Sequence, residues 1–91
     1  MRYFDWDKEK NELLKATRDV CFEDIVTAID NGQLLQTLDH PNKSRYSNQK
    51  IYIININGYA FVVPFVQDGK KIFLKTIFPS RKMTEKYILK E

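Results

Sequence analysis

The sequence predicts an α+β fold: two N-terminal helices, a four-stranded, mostly antiparallel sheet and a C-terminal helix. Three observations predict it. Phe22, Ile25, Val26 and Ile29 recur at the spacing of one helical face. Asn57-Gly58 and Asp68-Gly69 separate three apolar runs, as primed two-residue turns do between hairpin strands. Pro79-Ser80 then ends the strand-rich part and opens a helix-like run to about Lys90. The chain has 91 residues, which suits one domain over residues 1–91 with a modest core.

The first helix starts at Asp5 or Asp7, since a capping carboxylate accepts from free backbone N–H groups and suits the positive end of the helix dipole. It runs to about Ala16, with Leu13 and Leu14 as its apolar anchors. The second helix carries Glu23 and Asp24 in its first turn and ends at Asn31-Gly32, a pair suited to a left-handed C-terminal cap. Gln33 to Leu38 reads as a short strand, and the polar stretch from Asp39 to Gln49 as a loop. Strands follow at Lys50–Asn57, Tyr59–Gln67 and Lys70–Phe78. The first two are apolar on both faces, as central strands are. Pro64 cannot donate to a ladder, which predicts a bulge or an edge position there. The expected packing is a sandwich with the helices on one face and the other face partly open.

Charge is distributed unevenly. Residues 1–42 hold five basic and nine acidic side chains, whereas Lys70 to Lys90 holds seven basic ones and only Glu85 against them. A basic face of this kind attracts a polyanion or an acidic protein. Hydrophobic residues make up 43% and charged residues 30%, which fits a globular rather than a disordered chain. No apolar run is long enough for a membrane span, and the acidic start does not read as a signal peptide. Cys21 and His40 are the only cysteine and histidine, too few for a disulfide or a usual zinc site. Gly32, Gly58 and Gly69 read as caps or turns rather than a phosphate loop. The expectation is a cytoplasmic protein without cofactor or metal.

Strand alternation sets Lys71, Phe73, Lys75 and Ile77 on one face and Ile72, Leu74, Thr76 and Phe78 on the other. Two ammonium groups around an aromatic ring suit phosphate contact with base stacking. They equally suit a solvated face whose lysines oppose aggregation. In the terminal helix Ser80 is a sensible N-cap, and Arg81 and Glu85 can pair at i, i+4. Lys82, Lys86 and Lys90 stack at the same spacing, which costs ~0.2–0.5 kcal/mol per pair and so leans toward anion binding. Tyr87 shares a side with Met83 and reads as core. His40 can serve as acid or base near neutral pH, though a lone loop histidine more often has no such role. Cys21 sits at a helix N-terminus, which can lower a thiol pKa, but its sequence neighbours favour a structural role. Trp6 reads as a core residue. Tyr46, Tyr52 and Tyr59 can stack on bases or simply pack.

Three stretches resemble BrnT-like toxins of type II toxin–antitoxin systems, which have a RelE-like fold. They are Phe4-Asp5-Trp6-Asp7 with Lys10-Asn11, Val20-Cys21-Phe22-Glu23-Asp24, and Ser80-Arg81-Lys82-Met83-Thr84. The chain departs from that family at Thr17-Arg18-Asp19, where a Lys-His-Gly stretch is usual, at Cys21, where serine is usual, and at Gln49-Lys50, where glutamate and arginine are common. The resemblance implies a metal-independent ribonuclease that cleaves RNA and inhibits translation. It also implies a cognate antitoxin, often with a ribbon-helix-helix part, and operator DNA contacted only through the complex. Fixed cations near the scissile phosphate would stabilise its charge, and arginine offers a bidentate fork. Arg81 is the expected anchor, with Lys75 and Lys50 as helpers. Lys75, Tyr87, Glu85 and His40 are the candidate acids and bases, and Lys71, Phe73, Lys82 and Lys86 the candidate RNA contacts. The alternative is a non-catalytic RNA-binding or protein-binding module of the same fold.

Overall fold

A computed structural model of the chain describes residues 3–39 and 49–90. It shows two N-terminal helices, a mixed sheet and a C-terminal helical segment. A short strand β1 (Tyr3–Asp5) precedes α1 (Lys8–Arg18) and α2 (Phe22–Asp30). The strands β2 (Leu34–Asp39), β3 (Gln49–Ile56), β4 (Tyr59–Asp68) and β5 (Lys71–Leu74) follow. β6 (Phe78–Pro79) leads into α3 (Arg81–Thr84), which continues as a π-helical segment, Glu85–Leu89. The sheet order is β1-β5-β4-β3-β2, antiparallel except for β1, which lies parallel to β5. β6 pairs with the first half of β4 and β5 with the second half. The meander matches the sequence reading; β1 and β6 are too short for periodicity to reveal.

Asp7 is the cap of α1, and its carboxylate accepts from the Glu9 and Lys10 amides. The helix runs past Ala16 to Arg18 and ends on Asp19 in the left-handed region. Of its two expected anchors, Leu14 is buried but Leu13 is 55% exposed. Asn11 fills the remaining contact. Its Oδ1 accepts from the Phe22 amide at 2.8 Å and its Nδ2 donates to Glu23 at 2.7 Å. One buried amide therefore fixes α1 against the start of α2. Trp6 stacks on Phe22 beside it, with ring centroids 5.7 Å apart.

Both hairpins are tight. Asn57 and Gly58 have φ of 54° and 84°, the requirement of a type I′ turn. In the second hairpin Asp68 pairs with Lys71, so the turn residues are Gly69 and Lys70, one position later than the dipeptide suggests. Pro64 sits in the middle of β4, opposite Ile51. Its carbonyl accepts from the Lys75 amide at 2.8 Å. The N–H and C=O of one strand residue point to the same neighbour, so the missing proline donor faces the gap between β5 and β6. The expected irregularity is thus realised in the neighbouring strand.

That gap shifts the alternation. Ile72 and Leu74 are fully buried as expected, but so is Ile77, while Phe78 is 38% exposed. The chain leaves the ladder after Leu74, and a non-strand stretch frees the period of two from its phase. Arg18 reaches across from α1 and donates to the Ile77 carbonyl inside this stretch.

The expected one-sided packing is corrected by the two cores. α1 and α2 cover the face that presents Tyr52, Ile54, Val63, Phe65, Ile72 and Leu74. The C-terminal segment covers part of the opposite face, where Met83, Tyr87 and Ile88 pack on Ile53, Ala60 and Val62. β3 and β4 are apolar on both faces because both faces are covered. No helix among the described residues is long and apolar enough to cross a membrane.

Candidate nucleic-acid interface

The sheet face under the C-terminal segment is only partly covered. Beyond the helix, Val66, Asp68, Lys71, Phe73 and Lys75 line a shallow groove of about 290 Å³. Phe73 lies opposite Val66 in the β4–β5 register. The Lys71 and Lys75 Nζ atoms stand 5.9 and 6.0 Å from the Phe73 ring centroid. An aromatic face flanked by two cations can stack a base and hold the adjoining phosphates. Lys71 is not idle, since its Nζ lies 3.3 Å from the Asp5 carboxylate on β1. The Trp6 amide first, and Lys71 second, hold the Asp5 carboxyl below its ordinary range.

The second cationic group is on the C-terminal segment. Ser80 caps α3, and its Oγ accepts from the Met83 amide at 3.2 Å. Thr84, 5% exposed, ties the helix to the sheet. Its Oγ1 accepts from the Ala60 amide and donates to the Ser80 carbonyl, both at 2.8 Å. Arg81 is thereby held beside the start of β4 with its side chain 87% exposed, and its Nε lies 3.5 Å from Glu85 Oε1. Arg81, Lys82 and Lys86 are all exposed, and Lys86 Nζ stands 5.4 Å from the Tyr87 ring centroid. Tyr87 itself is half-buried on the sheet, as its shared side with Met83 suggests. Lys82, Lys86 and Lys90 are all exposed on this segment. In the π-helical segment the backbone hydrogen bonds run i, i+5 instead of i, i+4, and Lys90 ends it in the left-handed region at φ 57°.

The two cationic groups share one sheet face but not one point. Lys75 bonds to β4 at Pro64, and Ser80 bonds to it at Ala60. At about 3.4 Å per strand residue, these anchor points lie roughly 14 Å apart. Lys50 does not join them. It pairs with Phe65 and lies two residues before Tyr52, which places it on the α1/α2 face of the sheet. His40 and Tyr46 lie outside the described residues. Tyr52 is buried against Phe65, with centroids 4.0 Å apart, and is a core residue. Tyr59 is 38% exposed and meets Phe61 edge-on.

Cys21 does not carry the properties of a reactive thiol. Burial, foremost, pushes its pKa up rather than down. Sequence reasoning missed Asp5, Asn11 and Arg18 as organising side chains. Only a capping signal stood for the first, and the other two act across distances that no local pattern records. Among known proteins, no family model matches the chain, and no curated protein matches it significantly.

Proposed function

We propose that the protein acts on single-stranded RNA through the Lys71–Phe73–Lys75 groove and the Arg81–Lys82–Lys86 surface, as a ribonuclease toxin similar to BrnT-like members of the RelE-like group. One observation carries the RNA assignment: an accessible aromatic ring with an ammonium group near 6 Å on either side, on the sheet face that also carries the basic helix. The order of two helices, an antiparallel meander and a capped basic helix supports the toxin resemblance.

The chemistry uses RNA's own nucleophile. The 2′-hydroxyl oxygen attacks the adjacent phosphorus, and the bond from phosphorus to the 5′-oxygen breaks. A base takes the 2′-hydroxyl proton and an acid gives one to the leaving oxygen. Arg81 supplies the fork that holds the phosphate oxygens. Glu85, within ion-pair distance of Arg81, takes the proton from the 2′-hydroxyl, solvent water gives one to the departing 5′-oxygen, and Lys75 is left to steer the strand. Tyr87 packs on the sheet and serves as support rather than as an acid.

The separation of Lys75 from Arg81 favours a second reading, a binding module that holds RNA without cutting it. One experiment decides between them. Purified wild type, Arg81→Ala and Phe73→Ala are incubated with a fluorescent single-stranded RNA, with binding read by anisotropy and integrity on a denaturing gel. The toxin reading expects cleavage by wild type and bound, intact RNA with Arg81→Ala. Bound and intact RNA with wild type, with a steep salt dependence, establishes the module instead. Phe73→Ala should weaken binding by roughly fivefold to a hundredfold, the effect of losing one stacked base. Absence of RNA binding by wild type overturns both readings.

A further inference from the structure

We infer that the groove between α2 and the β3–β4 hairpin is a docking site for an extended, arginine-bearing segment of a partner protein. The groove encloses about 860 Å³ and lies on the sheet face opposite the basic groove. Asp19 and Asp24 line one side, and no Lys or Arg is among its described lining residues. The nearest cation in sequence, Arg18, is committed to the Ile77 carbonyl instead. Ala28, Ile56 and Phe61 give the groove an apolar floor, while Asn31, Gln33 and Asn57 border it with amides.

This lining selects its occupant. Two carboxylates without a lining cation repel a phosphate chain, so the groove does not extend the RNA surface. Side-chain amides complement the N–H and C=O groups of an extended backbone, and the apolar floor takes one of its side chains. Arginine suits the rest better than lysine. Its planar fork matches a carboxylate, and its face can lie on the exposed Tyr59 ring at the groove margin. Because the groove and the basic face occupy opposite sides of the sheet, a segment seated here leaves Phe73 and Arg81 accessible. The site stands independently of the RNA assignment.

The test uses the ¹⁵N-labelled full chain and three probes: a capped six-residue peptide alternating leucine and arginine, its counterpart with glutamate for arginine, and a single-stranded RNA oligonucleotide. The arginine peptide is expected to shift the side-chain amide signals of Asn31, Gln33 and Asn57, and to do so less at high salt. The glutamate peptide and the RNA are expected to leave them in place. The double variant Asp19→Asn, Asp24→Asn should bind the arginine peptide roughly tenfold more weakly. Asparagine tolerates the left-handed backbone of Asp19 and keeps an acceptor for the Cys21 amide that Asp24 now caps. Asp19→Asn alone provides a milder change should the double variant lose its dispersed spectrum. Unshifted amide signals with the arginine peptide, equal binding by the variants, or equal binding of the glutamate peptide overturns the proposal. Shifts of these signals by RNA overturn it too.

Discussion

Asn11→Ala is predicted to destabilise the protein by about 2–3 kcal/mol. The side chain is only 4% exposed, and both of its polar ends are engaged. Alanine leaves the buried Phe22 amide without an acceptor, a loss of ~1–3 kcal/mol. It also removes the donor to Glu23. That carboxylate is exposed and water replaces the amide there, so this part is discounted to below ~1 kcal/mol. A domain of this length holds about 5–13 kcal/mol in total, so the variant remains folded and measurable. Urea unfolding followed by Trp6 fluorescence reads the loss directly, because Trp6 stacks on the residue whose amide is orphaned. The midpoint should fall with the urea slope unchanged. Acid supplies a second readout. The Asn11 hydrogen bond, foremost, holds the Glu23 carboxyl below its ordinary value of 4.5. A carboxyl depressed in the folded state contributes stability above its unfolded pKa and loses it as pH falls through the folded one. The gap between wild type and variant should therefore narrow by this smaller Glu23 part as pH drops below about 4.5, while the Phe22 amide part persists. A loss under ~0.5 kcal/mol, or a gap that widens in acid, refutes the assignment of Asn11 as the clamp between α1 and α2.

Two further outcomes follow from the same geometry. Thr84→Val keeps shape but strips the acceptor from the Ala60 amide, and should cost ~1–3 kcal/mol and speed hydrogen exchange at that amide; Thr84→Ser should restore both. Asp5→Asn removes the carboxylate that competes for Lys71 and should tighten RNA binding. It should also steepen the logarithmic salt dependence by up to about 0.7, the increment for one more phosphate contact on a single strand.

The architecture was legible because its signals were local. The apolar stripe of α2, the Asn57-Gly58 turn and the Ser80 cap each act within a few residues and appear in place, and the second turn falls one residue later than its dipeptide. The one-sided packing was misjudged although the sequence carried the contrary sign. Ile51, Ile53 and Val62 alternate with Tyr52, Ile54 and Val63, and a strand apolar on both faces needs cover on both. Ile77 and Phe78 exchanged roles because alternation extrapolates only while a ladder continues, and this one stops at Leu74, whose partner Phe65 directly follows Pro64. The candidate site was legible in its strand half alone. Lys71, Phe73 and Lys75 follow from alternation, whereas the exclusion of Lys50 needed the β3–β4 register. The π-helical hydrogen bonding of Glu85–Leu89 was not legible, because such a segment has no sequence signature as plain as an α-helical one.

Net charge alone pointed to any polyanion, and the fold narrows that conclusion. The basic half of the chain occupies β5 and the C-terminal segment, which share one sheet face, while Asp19 and Asp24 face the other side from the helix layer. A chain carrying +3 overall thus has a carboxylate-lined groove and a lysine-flanked groove on opposite sides of a single sheet. On the basic side, the anchor points for Lys75 and Arg81 lie roughly 14 Å apart along β4. A single phosphate near one group leaves the other largely screened at physiological salt, where the Debye length is about 8 Å. A ligand must therefore extend along the strand to gain from both, and the Phe73 ring beside Lys75 favours one that carries bases as well as charge. The proposed ligand, a single-stranded RNA several nucleotides long, is one polyanion with both properties.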